Sequence, residues 1–133
     1  MIEADVKPSN RVSAPPLAPS STTPGAVIDL VHLARMTLGE KSLEAEVLGL
    51  FDRQARLLLA RMRNASPAAA GAFAHTLKGS ALGIGAWRVA EAAAAVERQA
   101  GEPATPDLGD ALARLADAID AARAVIAELV ATR

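Results

Sequence analysis

Apolar residues recur at helical spacing through four long stretches of the sequence, and this repeat restricts the fold more than any other feature. In the last stretch, Leu108, Leu112, Leu115 and Ile119 follow one another every three or four residues, which places them on one side of a helix. Hydrophobic residues make up 51% of the chain but aromatic residues only 2%, a composition that favours close-packed helices over a β-sandwich. The sequence therefore predicts an all-α fold.

Glycine and proline residues mark the expected ends of the helices. The predicted helices are a short one starting at 27 or 29 and ending near 37, then about 42–63 with Ser42 as N-cap, 66 to 83–85 opened by Ser66-Pro67, 86–99, and one from Thr105-Pro106 to about 131. Four long helices with short connections favour an antiparallel four-helix bundle, with the short additional N-terminal helix lying across one end.

The second of these helices carries more apolar residues than one stripe can hold. Its main stripe is expected to bury Leu43, Val47, Leu50, Phe51, Leu58 and Met62. Because Leu48 and Leu59 fall beside that stripe, we expect this helix to contact structure on a second side, either the first helix or a partner.

The first 25 residues differ in composition from the rest of the chain. They contain five prolines among Ser, Thr and Ala, a composition that neither supports a helix nor buries a core. We therefore expect residues 1–25 to be a disordered leader or linker, and residues 26–133 to form one domain.

The charge and residue content exclude several classes of function. The formal net charge is −1 with basic and acidic residues interleaved, so no nucleic-acid-binding surface is expected. The chain has no cysteine, which removes disulfides, thiolate catalysis and Cys-ligated zinc. No apolar run is long enough to span a bilayer, and the N-terminus has no secretory apolar region, so we expect a cytoplasmic protein without a membrane partner.

One histidine stands in unusual surroundings, in the stretch FAHTLKGSALGIGA at 73–86. His75 lies off the apolar stripe of its helix and should point to solvent. Gly71 and Gly79 lie four residues before and after it, and Ala72 and Lys78 three before and after, so little side-chain bulk stands next to the ring. A glycine inside a helix costs about 1 kcal/mol relative to alanine, so Gly79 suggests access for another protein to the imidazole.

The residues from His75 onward form a recognisable pattern. The sequence resembles the H-x-L-K-G-S-A-x-x-x-G-A signature of the histidine phosphotransfer (HPt) domain proteins of two-component phosphorelays, on His75, Leu77, Lys78, Gly79, Ser80, Ala81, Gly85 and Ala86. The flanking helices are similar to those of the same family, and the resemblance extends over roughly 28–131.

This resemblance implies roles for particular residues. His75 would accept a phosphoryl group, Lys78 would neutralise its charge, and Gly79 would keep the approach open. The supporting or receiver-contacting positions would be Gly71, Ala72, Leu82, Gly83 and Glu97, of which Glu97 on the next helix could equally be a solvated helix end.

The resemblance also implies partners and a limit to the chemistry. The partners would be response-regulator receiver domains and a hybrid or sensor histidine kinase, with the Mg²⁺ and the acidic pocket supplied by the receiver. The chain lacks the GxxxxGK[ST] order of an ATP-binding loop, so we expect a monomeric phosphocarrier that has no cofactor of its own and is not an enzyme.

Other interpretations remain open at this point. The chain could be a pseudo-HPt adaptor that binds a receiver or kinase without being phosphorylated, a dimeric sensor-kinase-like histidine phosphotransferase, or a helical scaffold. His32, the other histidine, has no motif around it and is expected at a surface or an interface. No HExxH or carboxylate cluster suggests a metal site.

Overall fold

The computed structural model describes residues 26–102 and 107–132, and its regular elements there are all helices. They are α1 (Leu30–Thr37), α2 (Lys41–Arg63), α3 (Pro67–Ile84), α4 (Trp87–Ala100) and α5 (Gly109–Ala131). The all-α prediction is confirmed. The predicted leader at 1–25 and the predicted helix start at Thr105-Pro106 lie outside the described residues, and α5 begins after two non-helical residues, Asp107 and Leu108.

The four long helices close into a ring. Helix α2 packs against α3 and α5, and α4 packs against the same two helices. Only residues 64–66 join α2 to α3, and only 85–86 join α3 to α4, so these neighbours run antiparallel. Helix α1 packs across α2 and α3, in keeping with the additional helix expected at one end.

The buried side of α2 differs from the predicted stripe. Leu43 and Leu50 are 38% and 56% exposed, whereas Leu48 and Leu59 are buried. Phe51, Leu58 and Met62 are buried as predicted, but the prediction was wrong for Leu43 and Leu50. It counted only large side chains and overlooked Ala55, which is fully buried and sets the phase of the helix. Leu59 lies beside the three-and-four repeat through this alanine, and that repeat takes in most of the residues that α2 gives to the core: Leu48, Phe51, Ala55, Leu58 and Met62.

The junction between α1 and α2 also differs from expectation, because α2 begins before Ser42. Its N-cap is Glu40, which follows two residues of positive φ, Leu38 at 54° and Gly39 at 75°. Glu44 lies in the first turn of α2 but is buried, and it accepts a hydrogen bond from Thr37 Oγ1 at 3.2 Å. This buried contact fixes the end of α1 against the start of α2.

The ends of α3 follow the sequence prediction. Ser66 Oγ accepts a hydrogen bond from the Ala69 amide at 3.3 Å, and Pro67 opens the first turn. Gly85 closes the helix with φ of 82°, and a Cβ there would lie 3.0 Å from the backbone oxygen of Asp29. The turn into α4 therefore requires glycine for both its conformation and its space.

A polar cluster fastens the start of α1 to this turn. Asp29 donates its amide to Gly85 O at 2.9 Å and accepts from Trp87 Nε1 at 3.1 Å, while its other oxygen caps α1. His32 Nε2 lies 3.2 Å from Gly83 O, so it donates to this carbonyl, and its ring meets that of Trp87 edge-on at 5.0 Å. His32 therefore lies at an interface within the chain.

Candidate functional site

His75 projects from the outer side of α3. This helix packs against α1, α2 and α4, and its buried side comprises Ala70, Gly71, Ala74, Leu77, Ala81 and Ile84. The His75 side chain is 67% exposed. Three of its neighbours on the outer side, Ala72, Gly79 and Leu82, are exposed as well, so the imidazole stands on an open face.

One carboxylate connects His75 and Lys78, the two ionisable side chains of α3. His75 Nδ1 lies 2.8 Å from Glu97 Oε2, and Lys78 Nζ donates to Glu97 Oε1 at 2.9 Å. Glu97 belongs to α4 and is 33% exposed, so the bridge lies at the edge of the α3–α4 contact. The structure thus brings together three residues that the sequence analysis singled out separately.

The charge on Glu97 determines that Nδ1 of the His75 imidazole carries a hydrogen. The pKa of Glu97 is lowered, first by the hydrogen bond from Lys78 and next by the hydrogen bond from His75. An ionised carboxylate can only accept, so Nδ1 of His75 carries the hydrogen of this contact. Nε2 has no hydrogen-bond partner within the described part of the chain and faces solvent.

The two glycines beside His75 have different surroundings. A Cβ at Gly79 would meet nothing within 4 Å, so this position is open as expected for an access role. Gly71 is buried, and a Cβ there would lie 2.9 Å from the Cβ of Ala100. The sequence predicted open space at Gly71 too, but here the missing side chain lets α3 and α4 approach each other.

A shallow groove of about 650 Å³ runs beside the imidazole between α3 and α4. Small side chains form most of its wall, and its lining consists of Ala68, Gly71, Ala72, His75, Thr76, Glu97, Ala100 and Gly101. Of the other positions named from the sequence, Leu82 is 45% exposed on the histidine side of α3, and Gly83 is half-buried. Gly83 instead gives its carbonyl to His32, which the sequence did not indicate.

The sequence contains a signal that could have placed Glu97 more firmly. His75 lies ten residues before Gly85, and Glu97 lies eleven residues after Ala86. In two antiparallel helices joined by this two-residue turn, positions equally far from the turn lie side by side. Counting outward from the turn therefore brings Glu97 to within one residue of the level of His75, about 1.5 Å along the helix axis.

No group of three or more His, Asp or Glu side chains is placed to hold a metal ion within residues 26–102 and 107–132. None of the described helices combines the length and apolar character needed to cross a bilayer.

Comparison with known proteins assigns most of the bundle to one family. Residues 43–125, more than half of the chain, match the family model described as Hpt domain. The matched range takes in α3 and α4 whole with most of α2 and α5, and it leaves out α1. No curated protein and no solved structure matches the chain.

Proposed function

We propose that this chain, which belongs to the Hpt domain family, carries a phosphoryl group on His75 and relays it between aspartates of receiver domains. Hpt domains serve phosphotransfer in two-component signalling and are phosphocarriers rather than catalytic enzymes. The relay through a phosphohistidine at His75 is the more specific proposal.

The observation that carries this proposal is the state of the imidazole. Its Nδ1 is held by Glu97 at 2.8 Å, while Nε2 is free of hydrogen bonds to the described residues and the side chain is 67% exposed. In a neutral imidazole whose Nδ1 bears the hydrogen, Nε2 has the lone pair and is the nucleophile. The site therefore presents a nucleophilic nitrogen outward in a fixed orientation.

The proposed transfer conserves its atoms and charges. The Nε2 lone pair forms the bond to phosphorus as the bond between phosphorus and the aspartyl oxygen of the donor breaks, and the aspartate leaves as a carboxylate. The Nδ1 hydrogen stays on the ring, so the phosphorylated imidazole gains a positive charge next to the Glu97 carboxylate. Transfer to a second aspartate reverses these steps.

The chemistry that this chain does not supply is assigned to its partner. A receiver domain would bring the Mg²⁺ and the acidic pocket that spread charge over the phosphoryl oxygens. Receiver domains and kinases are the known partners of Hpt domains. Because one chain closes the four-helix ring, we propose that the protein acts as a monomer without a cofactor of its own.

The open face around His75 suits the approach of a folded partner. Ala72 and Gly79 lie one turn before and after His75, and Leu82 lies about two turns after it with an exposed apolar side chain. A partner pocket can therefore reach the ring without displacing a large side chain, and Leu82 offers apolar surface at the edge of the contact.

Incubation with a phosphorylated receiver tests the relay. The expected result is an acid-labile label on the wild-type protein, absent from the His75→Ala variant and retained by the His32→Ala variant, which removes the other histidine. Binding of the receiver without labelling would instead support the adaptor. A label that persists in His75→Ala would contradict the assignment of the phosphoacceptor.

A further inference from the structure

A second groove lies on the side of the helical ring opposite His75. His75 and Glu97 occupy the outer edge of the α3–α4 contact, whereas α2 and α5 pack together across the ring and border a groove of about 270 Å³. Part of the lining of this α2–α5 groove is apolar, since it includes the buried Ile126 and Val130, which is 40% exposed. An occupant of the groove would therefore leave the face around His75 open.

Three arginine side chains surround one carboxylate at the α2–α5 groove. Arg123 Nε donates to Asp52 Oδ1 at 2.7 Å, and Arg56 Nε lies 3.7 Å from Asp52 Oδ2. Arg53 lines the groove beside Gly49 and forms no ion pair or side-chain hydrogen bond with the described residues. Because a guanidinium group has five N–H donors, most donors of this cluster have no acceptor in the described part of the chain. The cluster can therefore bind further carboxylates.

The acidic residues that precede α1 stand together near the start of the sequence. Residues 2–6 read Ile-Glu-Ala-Asp-Val, and no other Asp or Glu occurs before Asp29. This short segment combines two carboxylates, which match guanidinium groups, with apolar side chains, which match Ile126 and Val130. Its composition is therefore complementary to the α2–α5 groove in both charge and polarity.

The connecting chain is long enough to bring this segment to the groove. Asp29 fastens the start of α1 to the turn between α3 and α4, at the end of the bundle where α2 begins. Since Asp52 contacts Arg123 and Gly49 lines the same groove as Val130, α5 runs antiparallel to α2 and ends there too. Residues 7–25 span up to about 60 Å when extended, more than the length of about 34 Å of α2.

We propose that residues 2–6 bind in the α2–α5 groove of their own chain. The carboxylates of Glu3 and Asp5 contact Arg53 and Arg123, and the apolar residues of the segment cover the apolar part of the groove. The tether keeps the segment at a local concentration of about millimolar, so contacts too weak to hold a free peptide are sufficient. The first residues of the chain are thereby held away from His75.

A spin label next to the segment tests the contact in the full chain. The protein has no cysteine, so Ser9→Cys provides a single site for a nitroxide and leaves residues 2–6 unchanged. The nitroxide should broaden the amide signals of Gly49 and Val130 far more than that of Gly79 across the ring. Equal broadening on both sides of the ring, or none at the groove, would overturn the proposal.

Charge substitutions on either side of the contact test its chemistry. Arg53→Gln should lower the ratio of bound to free segment by up to about fivefold, which corresponds to the upper value for an exposed ion pair, and Glu3→Gln with Asp5→Asn should lower it at least as much. Arg88→Gln, which removes an exposed arginine of α4, is the matched control and should not change the broadening. Wild-type broadening in both groove and segment variants would refute the ionic contact.

A mixing experiment distinguishes the chain's own segment from that of a second copy. Spin-labelled protein at natural isotope abundance is mixed with nitrogen-15-labelled protein that carries no nitroxide. The amide signals of the second protein should stay sharp, because each segment binds its own groove. Broadening of Gly49 and Val130 in the mixture would assign the groove to another copy and contradict the contact within one chain. None of these signals requires phosphate, so the result is independent of the relay through His75.

Discussion

Glu97 is the residue on which the polar groups of the site converge. It lies on a different helix from His75 and Lys78, so its two hydrogen bonds also join α3 to α4. In the proposed transfer the carboxylate would do for His75 what a buried aspartate does for the histidine of a catalytic triad, since it would hold the tautomer and face the positive charge of the phosphorylated ring. Its ionisation is therefore the first property to measure.

The lowered pKa of Glu97 predicts how the bridge responds to acid. Because the folded value lies below the ordinary 4.5, the contacts with Lys78 and His75 stabilise the folded protein fully above that ordinary value. That stabilisation is lost as the pH falls through the lowered pKa. A carbon-13 titration of the Glu97 carboxyl should give a midpoint below 4.5, and Lys78→Met should raise it. A midpoint at or above 4.5 in the wild type would contradict the bridge.

The residues of the candidate site could be predicted from the sequence, whereas the contacts between them could not. The signature and the helical phase of α3 indicated that His75 points outward and that Lys78 and Gly79 accompany it, and the structure has all three there. The bridge through Glu97 depends on how α4 is positioned lengthwise against α3, that is, on which residues of the two helices lie at the same level. That level is set by packing between helices, which a motif within one helix does not contain.

At the level of the helices, small residues hold α3 and α4 close together. Substitutions at Gly71 and Gly79 of α3 should change the free energy of unfolding in opposite directions. Gly71→Ala places a Cβ 2.9 Å from that of Ala100, so the helices must separate, and the free energy of unfolding should fall by about 1–3 kcal/mol. Gly79→Ala adds a Cβ in open space and should raise it by up to about 1 kcal/mol.

Chemical denaturation of the two variants measures both effects. Equal changes in the two variants would mean that Gly71 does not set the spacing of the helices.

Replacing Gly79 by a residue with a larger side chain tests whether this position keeps the approach to His75 open. Gly79→Gln should leave the fold intact, since nothing lies within 4 Å of its Cβ, yet it should slow transfer from a receiver at least about tenfold by obstructing docking. Ala113→Gln, at an exposed position of α5, is the matched control. Wild-type transfer in Gly79→Gln, with circular dichroism showing a folded protein, would refute the access role.

The ends of α3 were predicted correctly from the sequence, but the start and the buried side of α2 were not. The Ser66-Pro67 start and the Gly85 end of α3 follow from local backbone chemistry, and the structure has both. The buried side of α2 depends on which helices flank it, so Leu50 was assigned to the core although it is 56% exposed. The predicted start of α2 at Ser42 was also wrong. The turn formed by Leu38 and Gly39, both with positive φ, leads directly to Glu40, which is the N-cap of the helix.

For the molecule as a whole, α1 lies outside the range that matches the family model, and its attachment can be tested. Trp87→Phe removes the hydrogen bond of 3.1 Å to Asp29, which should cost about 1 kcal/mol and loosen the start of α1. Amide exchange should accelerate in α1 while the amides of α4 and α5 remain protected. Unchanged exchange in α1 would show that this bond does not hold the helix. The contact joins residues 58 positions apart, so no local pattern could have predicted it.

The central claim is that one nitrogen of one side chain receives the phosphoryl group, and its location on the phosphorylated protein tests this most directly. Nitrogen–phosphorus couplings in the magnetic resonance spectrum of the labelled protein identify the atom that bears phosphorus. We expect a single phosphoramidate at Nε2 of His75, with Nδ1 still facing Glu97. Phosphorus on Nδ1, on His32 or on any other residue would contradict it.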